Sequence, residues 1–267
     1  MKENVMDDIF LRVIGLGPGD GLLLTPQARA ALEQAEVIAG YSGYMDMLPP
    51  ELKEERICIS TGMMGEVERC RQAIDSALSG KRTALVCSGD PGIYALAALV
   101  LELLEAMGVE EALNVEIVPG IPALCAAAAL LGAPLTHDFA CVSLSDLLTP
   151  WTLIRTRLKA ALEADFVLVV YNPRSRRRTS QLEEALSLAL SLREPGTPVG
   201  LVRQAFRTGQ QVRVMRLDEL DPAEVDMLSI LIIGNSSTRM QTGGKGMRML
   251  TPRGYAEKYS LKDADGE

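Results

Sequence analysis

The sequence predicts an α/β protein built as two α/β/α domains. Three observations carry that expectation: short β-branched runs alternate with helical stretches, the alternation runs through five strands and then five more, and Gly/Pro-rich turns follow several strand ends. In the first half the strands are expected at Phe10–Gly15, Val37–Gly40, Arg56–Ser60, Thr83–Cys87 and Asn114–Val118. Helices at Met64–Ser79 and Ile93–Met107 lie between them, closed by the helix-terminating glycines Gly80 and Gly108. In the second half the strands are Phe139–Ser143, Phe166–Tyr171, Pro198–Val202, Val212–Arg216 and Leu228–Ile233, with helices at Leu153–Glu163 and Gln181–Leu192. Alternation of this kind favours largely parallel sheets. The expected division is an N-terminal domain over 1–120, a C-terminal domain over 121–258 and a polar tail over 259–267.

Composition narrows the function classes. Nearly half of the 267 residues are apolar, which excludes a disordered chain. The stretch Met1–Asp8 is polar and acidic rather than a secretory leader, and the apolar run at 121–135 falls short of the roughly 20 residues of a membrane span. A cytoplasmic protein without membrane contact is expected. The net charge of −8 argues against nucleic acid as a partner. Five scattered cysteines, Cys58, Cys70, Cys87, Cys125 and Cys141, read as reduced core thiols, and with a single histidine no metal site is expected.

The stretch "VIGLGPGDGLLLTPQARAAL" (13–32) looks at first like a dinucleotide loop. Gly15 and Gly17 fit that fingerprint, but Asp20 stands where the third glycine belongs, Pro18 stiffens the turn, and no helix starts there. The helix is expected later, with Thr25 as N-cap and Pro26 at its first position. A carboxylate at Asp20 would repel a pyrophosphate. In "CSGDPGIYA" (87–95) Asp90 and Pro91 read as the cap and first residue of a helix, while Gly89 and Gly92 would let a ligand approach the backbone. "VPGIPA" (118–123) is a third strand-to-helix turn. In the fourth, "VVYNPRSRRRTSQLEEAL" (169–186), Arg174, Arg176, Arg177 and Arg178 precede a helix whose start Ser180 and Glu183 mark as a capping box. The helix dipole disfavours cations there, so helix stability cannot be their purpose. A carboxylate- or phosphate-bearing ligand would suit them, with Arg203 and Arg207 extending the same wall, although a solvated charge run reads the same way.

Together "GLGPGD", "SGDPGIYA", "PGIPA" and "VVYNPRSRRR" resemble, in order and spacing, the motifs of the tetrapyrrole (corrin/porphyrin) methylases over residues 10–255. "HDFACVSLSDLLTPW" (137–151), "IIGNSSTR" (232–239) and "MLTPRGY" (249–255) look most like the branch that methylates C-17 of a precorrin macrocycle. The resemblance implies the family's fold, with S-adenosylmethionine held in a cleft between two α/β domains, and a homodimer. It further implies C-17 methylation of a precorrin or cobalt-precorrin with ring contraction, in cobalamin biosynthesis. Carried over by motif, the cofactor contacts fall on Pro18, Ser88, Gly89, Asp90, Ile93, Pro122, Ala123, Asn172 and Ala205. Pro122 stands where many relatives have a hydroxyl residue. Arg174, Arg176, Arg177, Arg178 and Arg203 become the candidates for binding the tetrapyrrole's carboxylates, and Asp20 and His137 the candidates for acid/base work. Alternatives of other classes are a sister tetrapyrrole methylase, a ribose-methylating RNA enzyme, which the charge disfavours, and a non-catalytic anion-binding module.

Overall fold

The computed structural model describes residues 9–244 and 246–260. The proposed leader-free start at 1–8 and most of the polar tail, 261–267, lie outside the described residues. The chain forms two compact units, Met1–Ala123 and Leu124–Glu267.

In the first unit the elements run β1 (Ile9–Gly15), α1 (Pro26–Glu33), β2 (Val37–Tyr41), α2 (Ser42–Met45), β3 (Ile57–Thr61), α3 (Glu66–Leu78), β4 (Thr83–Cys87), α4 (Ala97–Met107) and β5 (Asn114–Val118). The five strands make one wholly parallel sheet in the order β3-β2-β4-β1-β5. Side chains alternate across it. Ile14, Ile38, Ala84 and Val86 pack with Ala28, Ala31 and Leu32 of α1 on one face. Leu11, Val13, Ala39 and Leu85 pack with Ile74 of α3 and Val100 and Leu104 of α4 on the other. The crossover leaving β1 therefore covers one face and the crossover leaving its neighbour β4 covers the other. In open α/β sheets such a reversal is where ligands bind, beyond the carboxyl ends of the strands. Thr25 caps α1 as expected, its Oγ1 accepting the Ala28 amide at 3.1 Å, with Pro26 at the first turn.

The second unit contains α5 (Ala123–Leu131, entered from the first unit), β6 (Gly132–Ala133), β7 (Phe139–Ser143), α6 (Trp151–Glu163), β8 (Val167–Tyr171), α7 (Ser180–Leu192), β9 (Pro198–Arg203), β10 (Gln211–Arg216), β11 (Ser229–Ile233), β12 (Arg239–Gly243), β13 (Gly246–Leu250) and α8 (Tyr255–Lys258). Its main sheet, β10-β9-β11-β8-β7, corrects the expectation of parallel strands. Only β7 and β8 pair in parallel, while β11 runs antiparallel to β8 and β9, and β10 antiparallel to β9. The reason lies in the connections: β9 reaches β10 across 204–210 without a helix, and a link that short can only turn the chain back. A second small sheet, β12-β13-β6, has no counterpart in the sequence reading. The core of this unit joins Ile154, Leu158 and Leu162 of α6 and Leu182, Leu186 and Ala189 of α7 to Leu168, Val170, Leu201, Leu231 and Ile233 of the sheet.

Two local readings also change. The helix after β4 begins at Ala97, not Ile93, and Asp90 does not cap it. The capping box at α7 does not form: Thr179 is the N-cap without a side-chain bond, and Ser180 Oγ donates to Gln181 Oε1 instead. The five thiols are free, but Cys58 and Cys125 are exposed and Cys141 half-buried, so only Cys70 and Cys87 are core thiols.

Candidate functional site

In the first unit the loops leaving β1 and β4 are fastened to each other by backbone, and a side chain of the β4 loop ties in the loop leaving β5. Leu16 donates to Cys87 O at 2.9 Å, Gly17 to Gly89 O at 3.1 Å, and Gly89 back to Gly17 O at 2.8 Å. A methyl group on Gly15 would sit 2.5 Å from Gly89 O, and one on Gly120 would sit 2.1 Å from the same oxygen. These glycines are therefore required by loop-against-loop packing. Gly89 is required by its backbone, at φ +71°. Asp90 completes the fastening: Oδ1 accepts the Gly92 amide at 2.8 Å and Oδ2 the Gly120 amide at 3.1 Å.

Gly92 differs from the others. Its φ is not left-handed, and the only atom its missing Cβ would approach is Asp90 Oδ1 at 3.3 Å. It opens a run of three exposed residues, Gly92, Ile93 and Tyr94, with Tyr94 held at φ +52°. Packing leaves these three residues exposed, as a ligand-facing loop would be. Pro18 is buried on the β1 loop, and Ser88, Pro122 and Ala123 are half-buried. The structure thus brings Pro18, Ser88, Gly89, Asp90, Ile93, Pro122 and Ala123 together at one edge of the first sheet. Asp20 lies on the same β1 loop, exposed, with Oδ1 accepting the Leu22 amide at 2.9 Å.

In the second unit β7, β8 and β9 point the same way, so the loops after them share one edge of the sheet. Asn172, at φ +48°, donates from Nδ2 to Ser143 Oγ at 3.0 Å and joins two of these loops. Ala205 sits between Gln204 at φ +50° and Phe206 at φ +56°. Of the arginines, Arg178 is nearly buried. Its guanidinium donates to Asn172 O at 2.6 Å and lies 3.9 Å from Asp146; burial draws its pKa down, with Asp146 opposing. Arg174 donates to Pro222 O at 2.6 Å, and Arg203 pairs with Asp226 at 2.7 Å. These three guanidiniums fasten their own loops. Arg176 and Arg177 are exposed and pair with no other described residue.

His137 lies elsewhere in this unit, exposed on the β6–β7 connection. Its Nδ1 accepts the Asp138 amide at 2.8 Å, which places the proton of the neutral ring on Nε2. It lines a cavity of about 910 Å³ with Leu135, Phe139, Arg239, Arg253 and Tyr255 among others. Sequence reasoning missed this cavity, although His137, Arg239 and Arg253 each fall inside a quoted motif. No local pattern links residues 116 positions apart.

A wholly parallel sheet with glycine-packed loops at its carboxyl edge, followed in the chain by a mixed sheet, defines an open-sheet α/β protein. The family model for tetrapyrrole (corrin/porphyrin) methylases matches residues 11–221, and the chain belongs to that family. It is 45% identical over 92% of its length to a probable cobalt-factor III C(17)-methyltransferase of Salmonella typhimurium, covering 99% of that protein. It is 44% identical over 96% of its length to the cobalt-factor III methyltransferase of Priestia megaterium, of which it spans only 47%. Among solved structures, the methyltransferase CobJ superposes with a TM-score of 0.86 at 36% identity, covering 92% of this chain and all of that one. Among the described residues no helix is long and apolar enough to cross a membrane.

Proposed function

We propose that this chain transfers a methyl group from S-adenosylmethionine to C-17 of precorrin-3B or cobalt-factor III, with ring contraction, in cobalamin biosynthesis. It would work in the cytoplasm as a homodimer without a nucleic-acid partner. The observation that supports the cofactor reading is backbone geometry. Of the seven non-glycine residues held at positive φ among the described residues, four (Tyr94, Asn172, Gln204 and Phe206) lie on or beside the positions carried over as cofactor contacts. Left-handed backbone at non-glycine residues costs about 1–3 kcal/mol each and clusters at ligand-binding loops. The exposed segment Gly92–Tyr94 leaves room for a ligand to approach.

S-adenosylmethionine, when bound, supplies a methyl already activated on a sulfonium, so the protein's task is alignment. Ser88, Gly89, Asp90, Ile93, Pro122 and Ala123 would hold the cofactor on the first unit. Because the loops carrying these residues are bonded to each other, they present a fixed edge. Asp20, with one oxygen held by the Leu22 amide and the other facing solvent, would take the proton released on methylation. His137 would donate from Nε2. Arg176 and Arg177 keep free forks for substrate carboxylates, whereas Arg174, Arg178 and Arg203 would act by shaping their loops.

Mass spectrometry with S-adenosylmethionine and either precorrin-3B or cobalt-factor III tests the reading. A product one methyl heavier from one macrocycle supports it and identifies the macrocycle. S-adenosylhomocysteine binding without any product would send the assignment to another tetrapyrrole, and neither binding nor product would overturn it.

A further inference from the structure

The cavity in the second unit has a rigid floor and a cationic rim. The floor is the junction of β6 with the end of β13. Thr251 is fully buried, its amide donating to Ala133 O at 3.0 Å and its Oγ1 to Pro134 O at 2.7 Å, and Thr238 shares a hydrogen bond with it at 2.9 Å. Leu135, Phe139, Leu250 and Pro252 give apolar lining, and Tyr255 stands at the edge. The rim carries the two guanidiniums of Arg239 and Arg253, beside His137 and a single acid, Asp138.

Six arginines of this unit, Arg155, Arg178, Arg193, Arg203, Arg213 and Arg216, are paired with carboxylates. Arg239 and Arg253 bond to no described residue. Two unpaired guanidinium forks over an apolar floor match an amphipathic anion, because each fork takes a carboxylate bidentately while the floor takes the ring. A cavity of this volume, at the upper end of the small-ligand range of about 300–1,000 Å³, holds more than an isolated carboxylate.

We propose that this cavity is a binding site for a polycarboxylate tetrapyrrole, with Arg239 and Arg253 gripping its carboxylates. The inference rests on the functional reading above for the class of ligand, and on the cavity alone for the place. It moves the main carboxylate grip from the run at 174–178, where two of the four forks are already engaged, to residues that no motif reading had assigned. The same cavity would accept such a molecule as substrate or as a product retained after turnover.

Titration of the full chain with uroporphyrin III, followed by porphyrin fluorescence, tests it, with S-adenosylhomocysteine binding measured on every variant. Arg239→Gln combined with Arg253→Gln is expected to weaken uroporphyrin binding at least about tenfold, the loss of two charge-assisted contacts, with S-adenosylhomocysteine affinity unchanged. Arg239→Lys with Arg253→Lys, which keeps charge and loses the fork, should fall between. Weakening only in Arg176→Gln with Arg177→Gln would overturn the cavity and leave the functional reading standing. Uroporphyrin failing to bind a chain that still binds S-adenosylhomocysteine would do the same. Failure to bind either ligand would overturn both. Retention of substrate and of product are separated by repeating the titration with the methylated product, which competes with uroporphyrin only if the cavity retains it.

Discussion

Single residues in the first unit divide by what their missing or present atoms touch. Gly120→Ala puts a methyl 2.1 Å from a backbone oxygen that is itself bonded to Gly17, so the loops must part. The expected cost is about 2–4 kcal/mol in thermal or denaturant unfolding, with loss of S-adenosylhomocysteine binding. Gly92→Ala, whose added methyl meets only Asp90 Oδ1 at 3.3 Å and whose φ is ordinary, should cost no more than about 1 kcal/mol of stability and chiefly reduce cofactor affinity. Calorimetric titration and melting of the two variants side by side check the contrast; equal losses of stability would contradict it. At this scale the sequence was misleading in an instructive way. Asp90–Pro91 has the local chemistry of a helix start, yet Asp90 reaches Gly120, thirty positions on, a partner that no local rule reveals. Likewise the arginine run reads as four free cations until the carbonyls of Asn172 and Pro222 are seen to hold two of them.

Among elements, strands with buried faces were readable to within a residue or two, because hydrophobic runs such as Thr83–Cys87 and Val167–Tyr171 leave few alternatives. β12 and β13 were not, since most of their side chains are exposed and carry no alternation, and β6 has two residues. Strand direction in the second sheet was equally hidden, apart from the helix-free link at 204–210. One junction between elements is held by charge. Arg193, closing α7, donates to Asp165 at 2.5 Å and to Phe166 O at 3.0 Å, and Asp165 also accepts from Ser236 Oγ at 2.6 Å. Burial draws the Arg193 pKa down while Asp165 opposes it. Removing the guanidinium leaves the partly exposed Asp165 with its Ser236 bonds, so Arg193→Ala should cost about 2 kcal/mol in urea unfolding rather than the larger loss of a wholly buried pair.

For the molecule as a whole, the two core thiols set an alkaline limit. Burial pushes Cys70 up to about 11 and Cys87 to about 12, from an ordinary value of 9.0. The unfolded chain loses these protons first, so their contribution is complete below pH 9 and declines as pH rises from there towards 11–12. Melting temperature should therefore fall between pH 9 and 10.5. Iodoacetamide at pH 8 should label Cys58 and Cys125 long before Cys70 and Cys87, and early labelling of either core thiol would contradict the burial. The backbone fastening of the β1 and β4 loops also has an evolutionary reading. A contact made by main-chain atoms is indifferent to side-chain identity, so other side chains on these loops can vary without loosening it, while the glycines and Asp90 stay constant. Saturation libraries across 15–20, 88–93 and 119–123 would show two sharply separated classes of tolerance, and the permissive one marks where new specificities can be bred.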